Sequence, residues 1–103
     1  MSRPRILDEA AEELEAAAAY LEAERPGYAR VFLEAYEEKL RQLVRFPESG
    51  PLIRNAPAGC KLRAFLLRRF RYSVIAGVID GLPTIVAVAH TSREPGYWRD
   101  RLE

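Results

Sequence analysis

Tyr72-Ser73-Val74-Ile75-Ala76-Gly77-Val78-Ile79-Asp80-Gly81-Leu82-Pro83-Thr84-Ile85-Val86-Ala87-Val88-Ala89-His90 is the stretch whose reading decides the fold. Two runs rich in β-branched residues flank Asp80-Gly81, a pair that accepts the positive φ angles of a type I′ turn, so residues 71–79 and 82–90 are predicted to form a β-hairpin. Pro83 cannot donate to a ladder and therefore marks the beginning of its strand or a sheet edge. Immediately upstream, from Lys61, Leu62, Ala64 and Leu66 alternate with Arg63, Phe65 and Leu67, the period of a further strand with both faces partly covered. Three consecutive strands in so short a span imply an antiparallel sheet.

The amino-terminal half has a different period. Leu7, Ala10, Ala11, Leu14, Ala17, Ala18 and Leu21 recur at helical spacing, with Glu9, Glu12, Glu13, Glu15 and Glu22 between them. Asp8 is expected to cap this helix, and Glu9 and Glu12 suit the positive end of its dipole. Pro26-Gly27 stops it. A second periodic run follows through Tyr28, Val31, Phe32, Ala35, Tyr36, Leu40, Leu43 and Val44, and so short a connection requires the two helices to be antiparallel. Adjacent carboxylates such as Glu12 and Glu13, or Glu37 and Glu38, are read as a solvated face, because neighbours on a helix point in different directions. Phe46-Pro47-Glu48-Ser49-Gly50-Pro51 ends the second helix, and Asn55-Ala56-Pro57-Ala58-Gly59 continues an irregular connection. A short strand over 4–7 is also expected.

The predicted class is thus α+β, in the order (β)ααβββ: a two-helix antiparallel hairpin packed on one face of a three- to four-stranded, mainly antiparallel sheet, with the other face left available. The 103 residues form one domain, 1–103. With 49% hydrophobic and 30% charged residues the composition is that of a globular chain, and neither an apolar leader nor a membrane-spanning run is present, so a cytoplasmic protein is expected. Cys60, the single cysteine, excludes an internal disulfide, and no metal or cofactor site is expected.

Charge is divided along the chain. Residues 1–40 carry five cationic and ten acidic side chains, net −5, and residues 41–103 carry eleven and five, net +6. Either the acidic helices neutralise a basic sheet, or the basic half meets an anionic partner. Arg68, Arg69 and Arg71 crowd the predicted turn between two strands, where like charges repel unless something anionic joins them. The tail, His90-Thr91-Ser92-Arg93-Glu94-Pro95-Gly96-Tyr97-Trp98-Arg99-Asp100-Arg101, gathers the only His and the only Trp with three Arg. At a strand end His90 reads as a hydrogen-bonding residue of the sheet margin, and Tyr97 and Trp98 as anchors folding the tail back.

The run Ala16-Ala17-Ala18-Ala19-Tyr20-Leu21-Glu22 before Pro26-Gly27 and Phe32, then Phe46-Pro47-Glu48-Ser49-Gly50-Pro51, then the strand pair and the tail from His90 to Trp98, resembles the RelE/ParE superfamily of bacterial type II toxin–antitoxin modules. The tail and the Phe46–Pro51 segment are most similar to the ParE-like, plasmid-stabilisation branch. That resemblance implies a toxin that inhibits DNA gyrase by trapping its cleaved-DNA complex, without chemistry of its own, and that a cognate ParD-like antitoxin neutralises. The RelE branch implies instead a metal-independent, ribosome-dependent endoribonuclease, for which Arg63, His90 and Tyr97 are the candidates here. A degenerate toxin serving only as an antitoxin-binding module is the third reading.

Under the ParE-like reading there are no catalytic residues, and Arg68, Arg69, Arg71, Arg93, Tyr97, Trp98, Arg99 and Arg101 are the candidate contacts to target or antitoxin. Arginine stays protonated and makes a poor base, so a nuclease would depend on His90. The chain departs from the family pattern at Phe70-Arg71-Tyr72, where the extra Arg enlarges the cationic cluster. It departs again at Ala76-Gly77, where lost bulk predicts a groove on the sheet or a bulge at which another backbone approaches.

Overall fold

The computed structural model describes residues 3–54 and 56–102; Met1, Ser2, Glu103 and Asn55, which the sequence places in the irregular connection, lie outside them. The elements run β1 (Arg5–Ile6), α1 (Asp8–Glu24), α2 (Tyr28–Arg45), β2 (Leu62–Leu67), β3 (Tyr72–Ile79), β4 (Leu82–His90) and a final 3-10 turn, Arg99–Leu102. The sheet order is β1-β4-β3-β2, with β1 parallel to β4 and the other pairs antiparallel, as the α+β reading requires. Asp80 at φ 52° and Gly81 at φ 78° close the β3–β4 hairpin with the backbone signs of a type I′ turn. Pro83 is the second residue of β4, opposite Val78, and β1 begins pairing only at Thr84, so its missing N–H costs the ladder nothing there.

Helix α1 starts without the expected Asp8 cap. Leu7 occupies the capping position in extended geometry (φ −68°, ψ 149°), where its apolar side chain offers no acceptor, and its N–H donates to the Ile85 carbonyl at 3.0 Å as the continuation of β1. The chain passes from strand to helix with no turn in which a capping side chain could act, and Asp8 and Glu9 serve only as favourable charges in the first turn. At the other end Pro26-Gly27 breaks the chain with Gly27 at φ 86°. The Glu22 carboxylate of α1 accepts the Gly27 N–H (3.0 and 3.1 Å) and the Ala29 N–H (3.1 Å), and so caps α2 from the preceding helix. Those bonds hold its carboxyl below the ordinary value.

Both helices pack on one side of the sheet over Phe32, Tyr36, Leu40, Phe65, Val74 and Ile85. The opposite face is not left open, contrary to the expectation from sequence. Leu62, Ile75, Val86 and Ala87 lie there beneath Trp98, with Ile53, Ala56, Cys60, Tyr97 and Leu102 around them, so the 51–60 connection and the tail form a second layer.

What permits that second core is a bulge in β4. Ile75 pairs with Ala87 and Ala76 with Ile85, which leaves Val86 as an extra residue and turns Val86 and Ala87 together toward the tail. The small residues foreseen as a break in mid-strand sit directly opposite. A Cβ built on Gly77 would collide with the Lys61 carbonyl and lie 2.8 Å from Leu62 Cδ2, so a neighbouring backbone does approach there. Gly77→Ala is therefore expected to destabilise the protein by about 1–3 kcal/mol through overpacking, read as a lower urea midpoint at unchanged m-value.

Candidate functional site

The tail is built around one carboxylate. Glu13 of α1 receives Arg101 through two parallel bonds (Nη1 to Oε1 2.8 Å, Nη2 to Oε2 2.9 Å), the Tyr97 hydroxyl on Oε2, and the Val88 N–H of β4 on Oε1 at 3.0 Å. Arg101 Nη1 also donates to the carbonyl of the bulged residue Val86 at 3.0 Å. The pairing of β1 ends at Ile6, so this side of β4 would otherwise carry unpaired backbone groups, and Glu13 and Arg101 supply the partners. Burial alone would raise the Glu13 carboxyl. The bonds from Arg101, Tyr97 and Val88 together with the Arg101 charge outweigh that and hold it below its usual range. Burial and the same bond push the Tyr97 hydroxyl up to about 12.

Glu13 was not foreseen as a site residue, and the reading of adjacent carboxylates as a solvated face fails for it, since Glu12 is exposed and Glu13 is half-buried; Glu37 is half-buried as well and pairs with Arg3. The signal was present in the spacing, since Glu13 follows Ala10 by three and precedes Ala17 by four, on the buried stripe of its helix.

The tail residues named from sequence accordingly separate. Trp98 is 4% exposed and closes the second core. Tyr97 and Arg101 are inward members of the Glu13 network. Arg93 and Arg99 remain exposed, and the Arg93 guanidinium stacks 3.8 Å from the Tyr97 ring centroid. His90 packs edge-on against Tyr72 at 5.0 Å, and its Nδ1 lies 2.7 Å from the Ser92 hydroxyl and accepts the Ser92 N–H at 3.0 Å. That is the strand-margin role expected of it. Arg63 donates to the Glu48 and Gly50 carbonyls and thereby fastens the Phe46–Pro51 segment to β2.

Arg68, Arg69 and Arg71 lie exposed in the β2–β3 turn, and Arg69 extends over the Tyr28 and Phe70 rings at 5.8 and 5.7 Å. At the far end of the sheet, between the end of α2 and the hairpin, a groove of about 610 Å³ is lined by Leu43, Val44, Phe65, Ala76, Gly77 and Val78, with Lys61 and Glu48 also on its wall. A groove at Ala76-Gly77 was one of the two alternatives read from sequence, and the close backbone approach at Gly77 meets the other in part. A smaller cleft of about 330 Å³ lies under the tail among Ser73, Ala89, His90 and Trp98. Among the described residues no three His, Cys, Asp or Glu side chains gather as a metal site would need.

Removing the hub tests its weight. Glu13→Ala leaves a guanidinium, a phenol and a strand N–H without their shared partner and is expected to cost about 1–3 kcal/mol in urea unfolding at neutral pH. Because the Glu13 pKa is lowered on folding, its contribution is complete above the ordinary carboxyl value of 4.5 and is lost as pH falls below it. The variant's stability should therefore fall less steeply than the wild type's on the acid side of that value, where the lowered carboxyls of Glu22 and Glu37 also act in both proteins.

Comparison with known proteins gives the chain its family. No curated protein matches it. The family model described as the ParE toxin of type II toxin-antitoxin system, parDE, matches residues 5–95, from β1 through β4 and into the tail. The chain belongs to the ParE toxin family of type II toxin–antitoxin systems.

Proposed function

We infer that the chain is a toxin acting by binding, with DNA gyrase as its target and a cognate ParD-like antitoxin as its inhibitor. The observation that carries this reading is the commitment of the Tyr97 hydroxyl, one of the groups an RNA-cleaving site would use, to the Glu13 hub. The His90 ring accepts the Ser92 N–H, and the Tyr97 hydroxyl is committed to Glu13. With its hydroxyl held in a bond to a carboxylate, and pushed up to about 12, Tyr97 is poorly disposed to exchange a proton with a substrate. Arg63, the third nuclease candidate, can stabilise charge but does not serve as a base, and it is spent on the Glu48 and Gly50 carbonyls. Arg93 and Arg99 are the tail residues whose exposure suits contact with the target. Such a toxin works in the bacterial cytoplasm; among the described residues no helix is long and apolar enough to cross a membrane.

The antitoxin is assigned to the groove beside the hairpin. Its apolar floor, with Val78 60% exposed on its wall, suits an amphipathic helix or extended segment that orders as it binds. Val78→Glu places a charge on that wall and is expected to weaken antitoxin binding by about tenfold or more, on the scale of an interface residue of moderate weight, measured by calorimetry on protein whose urea midpoint is unchanged.

Target class is tested by expression without antitoxin, scoring gyrase-linked DNA breaks and mRNA integrity in the same cells. Breaks with intact mRNA are expected. Loss of mRNA that is abolished by His90→Ala would establish the endoribonuclease reading instead, and neither effect would leave a module that only binds its antitoxin.

A further inference from the structure

We propose that the end of the molecule formed by the β2–β3 turn and the α1–α2 junction is a nucleic-acid surface, on which Arg25, Arg68, Arg69 and Arg71 bind the phosphate backbone of DNA. The four guanidiniums are exposed, and among the described residues none is in an ion pair, whereas Arg3, Arg30 and Arg101 are. Arg25 and Arg69 are brought together by a single ring, lying 5.7 and 5.8 Å from the centroid of Tyr28. A guanidinium stacked on an aromatic face keeps its N–H edge for bidentate bonds to an oxyanion. Of the nearby carboxylates, Glu22 is occupied by the Gly27 and Ala29 N–H groups, and Glu38 lines the adjoining cleft with Arg68 and Arg69 without pairing to either.

The turn is rigid enough to act as a preformed site. Arg71 and Phe70 both donate their N–H to the Leu67 carbonyl at 3.0 Å, the Arg71 carbonyl accepts the Thr91 N–H at 2.8 Å, and the buried Phe70 ring packs on Tyr28 and Phe32. Arg71 is held at φ 60°, a conformation that glycine adopts freely and that strains a residue with a β-carbon. The chain thus carries a third cation at the one turn position where backbone geometry favours none.

The cleft beside the turn, about 340 Å³ and lined by Val31, Ala35, Leu66 and Phe70 with Arg68 and Arg69, takes in neither Arg25 nor Arg71. Four exposed, unpaired guanidiniums spread beyond it, so charge predominates over this end as a whole, as it does on phosphate-binding faces. The inference rests on the gyrase reading only for its use: a toxin that holds a cleaved-DNA complex acts where DNA is in reach.

The test is fluorescence anisotropy of the whole protein with a short labelled DNA duplex between roughly 50 and 200 mM salt. Four phosphate contacts predict a log–log salt slope of about −3 to −4, at about −0.9 per contact. Arg71→Gly, which relieves the backbone and so keeps the fold, should lower that magnitude by about 0.9, and Arg68→Gln combined with it by twice as much. Wild-type protein without salt-dependent binding, or a double variant that binds as tightly as wild type, would overturn the proposal. So would a double variant that keeps DNA affinity but loses antitoxin affinity, which would assign the cluster to an acidic protein segment. Purified gyrase separates the two readings. If wild type fails to stabilise cleaved DNA while anisotropy shows the predicted slope, the gyrase reading falls and the DNA surface stands. If wild type stabilises it while anisotropy shows no salt-dependent binding to the duplex, the DNA surface falls alone.

Discussion

The structure depends on how the central strand β4 is satisfied along its outer side. Its neighbour β1 contributes two residues and then a single further N–H from Leu7 to Ile85. Beyond that point the strand is deeply buried, where an unpaired amide or carbonyl costs on the order of 1–3 kcal/mol. A longer β1 would meet the demand but would leave no room for α1 to cross. The chain instead uses the Glu13 carboxylate for the Val88 N–H and the Arg101 guanidinium for the Val86 carbonyl, and joins the two as an ion pair. Helix, sheet and tail thereby become one unit.

The bulge at Val86 gives that arrangement its second consequence. A regular strand would send Val86 and Ala87 to opposite faces; the extra residue sends both to the face that Trp98 covers. The tail is consequently a layer of the fold rather than an appended arm. Its cations are divided by the same geometry, with Arg101 neutralised inside and Arg93 and Arg99 outside. The opposite charges of the two halves of the chain are thus partly consumed by a single internal contact, and three of the cations left without an ion pair, Arg68, Arg69 and Arg71, sit together at the β2–β3 turn.

The hairpin was legible because Asp80-Gly81 specifies its own geometry and because β-branched runs need no distant information. The helices were legible from the spacing of Ala10, Ala17 and Leu21 and from Pro26-Gly27. Glu13 was not read, since its role is set by Arg101, 88 residues away, and the helical spacing that places it on the buried stripe does not say what meets it there. The covered sheet face was missed for a related reason. Nothing local to Val86 marks it as a bulge, yet that one extra residue decides whether Trp98 has a core to enter. The Asp8 cap failed because the strand expected over 4–7 runs into the helix without an intervening turn, so Leu7 takes the capping position.

Two of the clefts along the sheet also follow from these constraints, and they are chemically unlike. Under the tail, His90 and Ser73 face a space whose neighbouring polar groups are largely committed: the His90 ring to Ser92 and the Tyr97 hydroxyl to Glu13. Freeing Tyr97 would break the bond that helps fix the tail, so proton transfer there is opposed by the stability of the fold itself. Beside the hairpin, the close approach of Lys61 excludes a side chain at position 77, and Ala76 adds little bulk, so the groove they help line is a packing consequence that needs no polar network to maintain it. A surface of that kind can be occupied and vacated without disturbing the Glu13 hub. This is the property a toxin requires if an inhibitor is to bind it, leave, and release a folded molecule.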